Sequence, residues 1–365
     1  MHLEGTILVG TDFEPVEGRI VVADGEIVRI EECAVDGDDV ILPAFVNAHT
    51  HIGDSIAKEA GEGLSLDELV APPDGLKHRL LRSASHEEKV AAMARTLRYM
   101  ESTGTGTFIE FREGGVPGVA ALRDALAGDG VDFDERAIDV VVLGRDDPDV
   151  LDVADGYGAS GARDADFDAV RTEVRDAGKL FGIHAGERDA DDINAAMDLD
   201  PKFLVHMVHA EAIHLNRVED RGTPVVVCPR SNLVTKVGVP PIRELNQRTT
   251  VALGTDNVMT DSPSMFREME FAAKLSDLPA RDVLRMATVH GAEIAGVNRG
   301  VITEGADADL LVLDGDSDNL TGAHDLVRAI VRRAGAADVS RVVIGGDTVA
   351  GGDTAVEDKT GAGRR

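Results

Sequence analysis

Between residues 43 and 299, short apolar segments alternate with stretches of amphipathic helical spacing, and this alternation constrains the fold more than any other feature. The strand candidates are 43–49, 105–111, 136–143, 150–156, 180–184, 203–207, 225–228 and 251–255. Helices are predicted between most of them, for example over 86–102 and 164–178. Val225-Val226-Val227-Cys228 and Val251-Ala252-Leu253 are apolar on both faces, which suits a parallel sheet covered by helices on both sides. Pro224 stands just before the first of these, where a strand start tolerates it. Eight such repeats in roughly 250 residues predict an α/β fold, a (β/α)8 TIM barrel. Segment 150–156 carries the weakest strand signal. An open doubly wound sheet is the alternative, but it would not bring the first and eighth strands together.

The two ends of the chain read differently. Residues 1–42 hold short strands at Thr6-Ile7-Leu8-Val9, Gly18-Arg19-Ile20-Val21-Val22 and Glu26-Ile27-Val28-Arg29-Ile30, with Asp24-Gly25 as a hairpin turn. Residues 300–352 repeat that character in Asp309-Leu310-Leu311-Val312-Leu313, Val342-Val343-Ile344 and the turn Gly345-Gly346-Asp347. A small β-sandwich built from both termini is expected, enclosing the barrel of residues 43–299. Residues 353–365 read as a flexible tail.

At 365 residues and 43% hydrophobic, the chain can bury a large core. Its net charge of −30 comes from 67 acidic against 37 basic residues, spread along the whole length. That pattern predicts a solvated acidic surface suited to a salt-rich cytosol, where screening relieves self-repulsion. It argues against nucleic acid as a partner, because phosphate binding needs basic patches. Cys33 and Cys228 provide neither a disulfide framework nor a paired-cysteine metal motif. The first residues show no signal-peptide pattern, and no apolar run approaches about 20 residues, so a cytoplasmic protein without a membrane span is expected.

The chemistry gathers at predicted strand ends. The run from Ile41 to Val46 is apolar, and Asn47-Ala48-His49-Thr50-His51 follows. Residues i and i+2 of a strand share a face, so both imidazoles project together. The fifth strand ends in His184 and continues Ala185-Gly186-Glu187; the sixth ends in His206; the eighth ends in Asp256. Each alone has a bland reading: a lone strand-end histidine is more often a satisfied polar residue, and Asp256-Asn257 could be a turn or helix cap. Three or four histidines with one carboxylate, gathered from four separate strand ends, form a divalent-metal set suited to zinc or iron.

Together these segments resemble the amidohydrolase superfamily, and more narrowly its metal-dependent aminohydrolase branch. That branch includes cytosine, guanine, adenosine and S-adenosylhomocysteine deaminases and the triazine chlorohydrolases. The resemblance rests on Pro43–His51, His184-Ala185-Gly186-Glu187, Val205-His206-Met207, Cys228-Pro229-Arg230-Ser231-Asn232, Gly254-Thr255-Asp256-Asn257 and the return segment Gly300–Leu310. It implies His49, His51, His184 and Asp256 as direct ligands. It places His206 beside the metal, as a ligand or as the partner of the bound water. His206 is preferred over His209 because it directly follows the apolar strand. Two-metal members carry a bridging lysine on the fourth strand; residues 150–158 contain none, so one ion per chain is expected, zinc first and iron second.

The implied reaction is hydrolysis through an activated water, since a metal lowers the pKa of water from about 15.7 to about 7. Glu187 would protonate a ring nitrogen and pass protons to the leaving amine, Asp256 would take the proton of the attacking water, and His206 would stabilise the developing alkoxide. Arg112, with Glu113 after the second strand, and Ser231 and Asn232 after the seventh are the candidate substrate-binding residues. Lys58 and Glu59 suit either a loop over the pocket or a salt-bridged surface. The remaining histidines, His2, His78, His86, His214, His290 and His324, read as structural or surface residues. Deamination of a purine, pyrimidine or related heterocycle is the first functional reading. Hydrolysis of a cyclic amide on the same scaffold is the second, and a non-catalytic relative the third. The chain is compact for this branch, which leaves room for a homo-oligomer in which a neighbouring copy completes the pocket.

Overall fold

The computed structural model describes residues 1–128 and 137–351. The expected tail at 353–365 and the first residue of the expected 136–143 strand lie outside them.

The middle of the chain forms a closed parallel barrel. Its strands are Phe45–His51, Thr105–Arg112, Asp139–Gly144, Gly156–Ala159, Leu180–Ala185, Phe203–His206, Val225–Val227 and a divided eighth strand, Val251–Leu253 with Asp256–Asn257. Val251–Leu253 pairs with the seventh strand, whereas Asp256 and Asn257 pair with Thr50 and His51 of the first. Between the two halves, Gly254 N donates to Val227 O and Thr255 N to His49 O, both at 3.0 Å. The open-sheet alternative fails here, because the first and eighth strands meet directly.

The fourth strand lies further along than expected. Residues Pro148–Asp152 form a 3-10 turn, with Pro148 at its start and Asp147 capping Asp149 N, and the strand follows at Gly156–Ala159. The reason is steric. A Cβ on Gly158 would stand 2.5 Å from the Phe111 ring, and one on Gly182 would stand 2.7 Å from both Phe111 and Phe203. Phe111 and Phe203, with Ile109, Leu143, Val205, Val226 and Cys228, fill the barrel interior. The fourth strand therefore consists of Gly156, Tyr157, Gly158 and Ala159, with little strand propensity of its own.

The run through 43–49 is also divided. Val40–Pro43 belongs to an outer sheet, where it pairs with His2–Val9 and Leu310–Leu313. At Ala44 the chain changes sheets: Ala44 N bonds to Asp309 O, and Phe45 N bonds to Gly104 O. The outer sheet has seven strands from both termini, in the order Asp347–Gly351, Val339–Ile344, Leu310–Leu313, Val40–Pro43, His2–Val9, Glu14–Ala23, Glu26–Glu32. It covers its own apolar core of Ile7, Ile20, Ile27, Ile41, Ile302 and Leu310. Asp24 and Gly25 turn the hairpin with φ of 52° and 81°, as the Asp-Gly pair predicts.

The helix expected over 86–102 runs His86–Ser102, with Ser85 and Glu88 exchanging side-chain and backbone hydrogen bonds at its start. The one expected over 164–178 is shorter, Asp168–Asp176. Among the described residues, no helix is long and apolar enough to cross a membrane.

Candidate metal centre and its cleft

His49 and His51 sit where the first strand is locally irregular. Asn47 pairs with Phe108 and Thr50 with Glu110, so three steps on one strand face two on the other. Such a bulge re-aims side chains. Glu110 holds the bend, accepting from Thr50 Oγ1 at 2.7 Å and Ile52 N at 2.9 Å.

Four donors converge at this barrel end. His49 Nε2 is 3.3 Å and His51 Nε2 3.6 Å from Asp256 Oδ1, and His51 Nε2 is 3.4 Å from His184 Nε2. Tetrahedral coordination at about 2.1 Å puts donors about 3.4 Å apart, so the group fits one ion. His49 Nε2 and Asp256 Oδ1 are buried without a hydrogen-bond partner, as expected of atoms aimed at a metal. The other sides of two rings are fixed: His51 Nδ1 lies 3.0 Å from Phe111 O and His184 Nδ1 2.8 Å from Ala159 O. Each carbonyl can only accept, so Nδ1 carries the proton and Nε2 offers its lone pair.

The electrostatics agree. Burial lowers the pKa of His49. Burial, with the Lys77 charge, pushes His51 down to about 3. Burial and the neighbouring histidines hold His184 well below its usual value. All three are therefore neutral, the form in which an imidazole can bind a metal. Burial alone would raise Asp256, but the His49 contact and the other histidines outweigh it and keep the carboxylate ionised. Its second oxygen accepts from Ser231 Oγ at 2.6 Å.

His206 and Glu187 adjoin this group. His206 Nε2 is 3.6 Å from Glu187 Oε2, and the two form a second trio with Asp256. The four-donor set closes without His206. Asn232 Nδ2 lies 3.1 Å from His206 Nδ1 and fixes the ring. His209 is half-buried and absent from the cleft wall. Burial raises the Glu187 pKa, His206 opposes the rise, and Asp256 adds to it. Both His206 and Asp256 adopt positive φ, 78° and 59°, a conformation unusual for residues with a side chain and common at functional strand ends.

The expected substrate-binding set is corrected. Arg112 is 1% exposed and does not line the cleft. Its guanidinium lies under Gly53, where any Cβ would collide with it, and reaches Glu110 Oε1 at 3.3 Å and Glu113 O at 3.0 Å. Arg112 neutralises the carboxylate that holds the bend after His51. Ser231 and Asn232 are fully buried and hold Asp256 and His206 in place. Lys58 is exposed and points to no wall of the cleft.

Residues that sequence reasoning missed take their places. The cleft wall includes Lys77, Arg145, Asn257 and Arg188, with Leu66, Val70, Ala71 and Pro72 along one side. Arg145 directly follows the third strand, and the strand-end rule that found the histidines would have marked it. Lys77, in the helix Leu76–Ser83, gives no such signal. It is 3% exposed, 2.6 Å from Glu113 Oε1, and donates to Asn257 Oδ1 at 2.8 Å. Burial would raise Glu113, but Lys77, His51 and Arg145 together hold it well below the usual carboxylate range.

Comparison with known proteins matches this architecture. The family model described as the amidohydrolase family covers residues 40–349. A relative in Methanothermobacter thermautotrophicus is 36% identical over 383 residues, spanning 94% of this chain and 97% of that protein. The 5-methylthioadenosine/S-adenosylhomocysteine deaminase of Halobacterium salinarum is 27% identical over 411 residues, spanning 96% of this chain and 92% of that protein. An adenosine deaminase from Xanthomonas campestris, crystallised with bound zinc, superposes with a TM-score of 0.76 at 18% identity, covering 96% of this chain and 92% of that one.

Proposed function

The chain belongs to the amidohydrolase family, and from that premise we propose that it is a zinc-dependent aminohydrolase that deaminates a purine, pyrimidine or related heterocycle. The observation that carries the reading is Glu187: a half-buried carboxyl of raised pKa, beside the four-donor group and facing the cleft. Aromatic deamination needs an acid that can protonate a ring nitrogen near neutral pH, and burial tunes a carboxyl toward that task.

His49, His51, His184 and Asp256 would hold the ion. When bound, a divalent ion lowers the pKa of water to about 7 and so supplies a nucleophile at neutral pH. The chain's own residues perform the proton work. Glu187 gives its proton to the ring nitrogen and relays another to the departing amine. Asp256, its second oxygen already accepting from Ser231, takes the proton of the attacking water. His206, held by Asn232, faces the oxygen on which negative charge develops. The cleft cations Lys77 and Arg145 and the apolar side at Leu66 and Val70 leave room for a substrate of mixed polarity.

The test is an ammonia-release screen over nucleobases, nucleosides and pterin- or triazine-like heterocycles, in high salt with zinc or iron. With a substrate in hand, Glu187→Gln should retain the metal and lose nearly all turnover. Unchanged turnover would remove Glu187 from the mechanism, and silence across the screen would favour cyclic-amide hydrolysis.

A further inference from the structure

Behind His51 lies a buried carboxylate, Glu113, that the proposed reaction does not use. Glu113 Oε1 is 2.7 Å from His51 Nδ1 and 2.6 Å from Lys77 Nζ. Arg145 stands further off, its nearest nitrogen 3.6 Å from the same oxygen. His51 already gives its Nε2 to the donor group, and its Nδ1 proton is directed at Phe111 O at 3.0 Å, with the Glu113 carboxylate beside the same nitrogen as a charge contact and not as a second hydrogen-bond acceptor. The other two imidazoles lack such a partner. His184 Nδ1 meets only the Ala159 carbonyl, and His49 Nδ1 is buried without any partner.

A carboxylate behind a metal-bound imidazole orients the ring and raises its basicity more than a neutral carbonyl does. A buried carboxylate is costly unless paired, and Lys77 provides the pairing. Lys77 is itself held by Asn257, the residue after the ligand Asp256. It belongs to Leu76–Ser83, the helix that follows the wall residues Leu66, Val70, Ala71 and Pro72. One ion pair thus ties the cleft wall to a ligand of the metal.

We propose that Glu113 is a positioning residue for His51 that sets the metal affinity of the site, and that Lys77 acts on the metal only by holding Glu113. The inference rests on the metal-dependent reading above, without depending on which heterocycle is the substrate. The experiment is zinc affinity, measured by chelator competition on the purified full chain in high salt. Glu113→Gln should weaken zinc binding about 10- to 100-fold. Glu113→Asp, which keeps the charge but draws it back, should fall between that variant and the parent. It also serves as the decisive variant if Glu113→Gln does not fold.

Lys77→Met should change zinc affinity in the parent and have no further effect in the Glu113→Gln background. Asp309→Asn removes a buried carboxylate from the Arg299 pair, outside the donor group, and should lower the melting temperature while leaving zinc affinity unchanged. Tight zinc binding that survives both Glu113 substitutions overturns the proposal, as does a Lys77 effect that persists without Glu113. Failure of the parent chain to bind zinc or iron at all would instead overturn the metal-dependent reading itself.

Discussion

Gly254 is the most informative single position to perturb, because it stands at the seam where the barrel closes. A Cβ there would lie 2.6 Å from His49 Cβ, 2.9 Å from His49 N and 3.0 Å from His49 O. These are atoms of a strand and not the end of a flexible side chain, so rotation cannot relieve the contact. Carbon–carbon contacts relax near 3.5 Å, so Gly254→Ala must part the first and eighth strands by about 0.9 Å at this point. Metal–donor distances hold only within about 0.2 Å of their ideal values. The His49–Asp256 spacing of 3.3 Å crosses this seam and should therefore be lost. Overpacking should cost about 1–3 kcal/mol of stability, and zinc affinity should fall about 10- to 100-fold, the scale for disturbing a ligand's surroundings. The assay pairs chelator competition with melting of the metal-free protein. Gly296→Ala is the control: its φ of 73° is unfavourable for alanine, but nothing lies within 4 Å of the added Cβ, so only stability should change. A folded Gly254→Ala protein with parental zinc affinity would refute this account of the seam.

Ser231→Ala removes the 2.6 Å hydrogen bond to Asp256, a charge-assisted contact worth about 1.5–3 kcal/mol, so kcat/KM should drop at least about tenfold with the metal retained; an unaltered kcat/KM would deny Ser231 this role. Arg112→Met leaves Glu110 buried and unpaired and should cost about 3 kcal/mol in urea unfolding. A raised KM with unchanged stability would return Arg112 to the substrate. Glu268, beside Arg230, has its pKa raised to about 8, first by burial. The folded chain thus keeps a proton on Glu268 that the unfolded chain releases above the ordinary glutamate value of about 4.5. That contribution is complete below about 4.5 and is lost as pH rises toward 8. Glu268→Gln mimics the protonated form and should gain stability relative to the parent across that window in urea midpoints; a difference that does not vary with pH would contradict the assignment.

How much of this could be read in advance depends on whether the information was local. The seventh and eighth strands were legible because both faces of a parallel barrel are buried, which leaves Val225–Val227 and Val251–Leu253 apolar throughout. The histidine pair was legible because a strand fixes the i, i+2 geometry. The fourth strand was not, because Gly158 answers to Phe111, more than 40 residues earlier in the chain, and Gly156 to Leu143 and to Leu180 of the next strand. The change of sheets at Ala44 was hidden because Val40–Pro43 and Phe45–His51 are buried alike, one against the terminal sheet and one in the barrel. Lys77 was hidden for a related reason. Its helix carries Lys77, His78, Arg79 and Arg82 and reads as a solvated surface; only tertiary packing buries its lysine among Glu113, Asp54 and Asn257.

The donor that most needs tertiary structure is Asp256, and the divided eighth strand explains how it reaches the three histidines. A continuous strand through residues 251–257 would keep pairing with the seventh strand and leave the first unpaired on the side away from the second. Instead the ladder stops after Leu253, and Asn47 and Thr255 take over. Asn47 Nδ2 donates to Thr255 Oγ1 at 2.7 Å, and Thr255 N donates to Asn47 Oδ1 at 3.0 Å. This reciprocal pair clamps the backbone one residue before Asp256, whose positive φ costs on the order of 1–3 kcal/mol unless its surroundings enforce it. Asp256 and Asn257 then pair with Thr50 and His51, which sets the carboxylate beside His49 and His51. The strain at Asp256 and the closure of the barrel are therefore one feature: the backbone that completes the fold also brings the carboxylate to the three histidines.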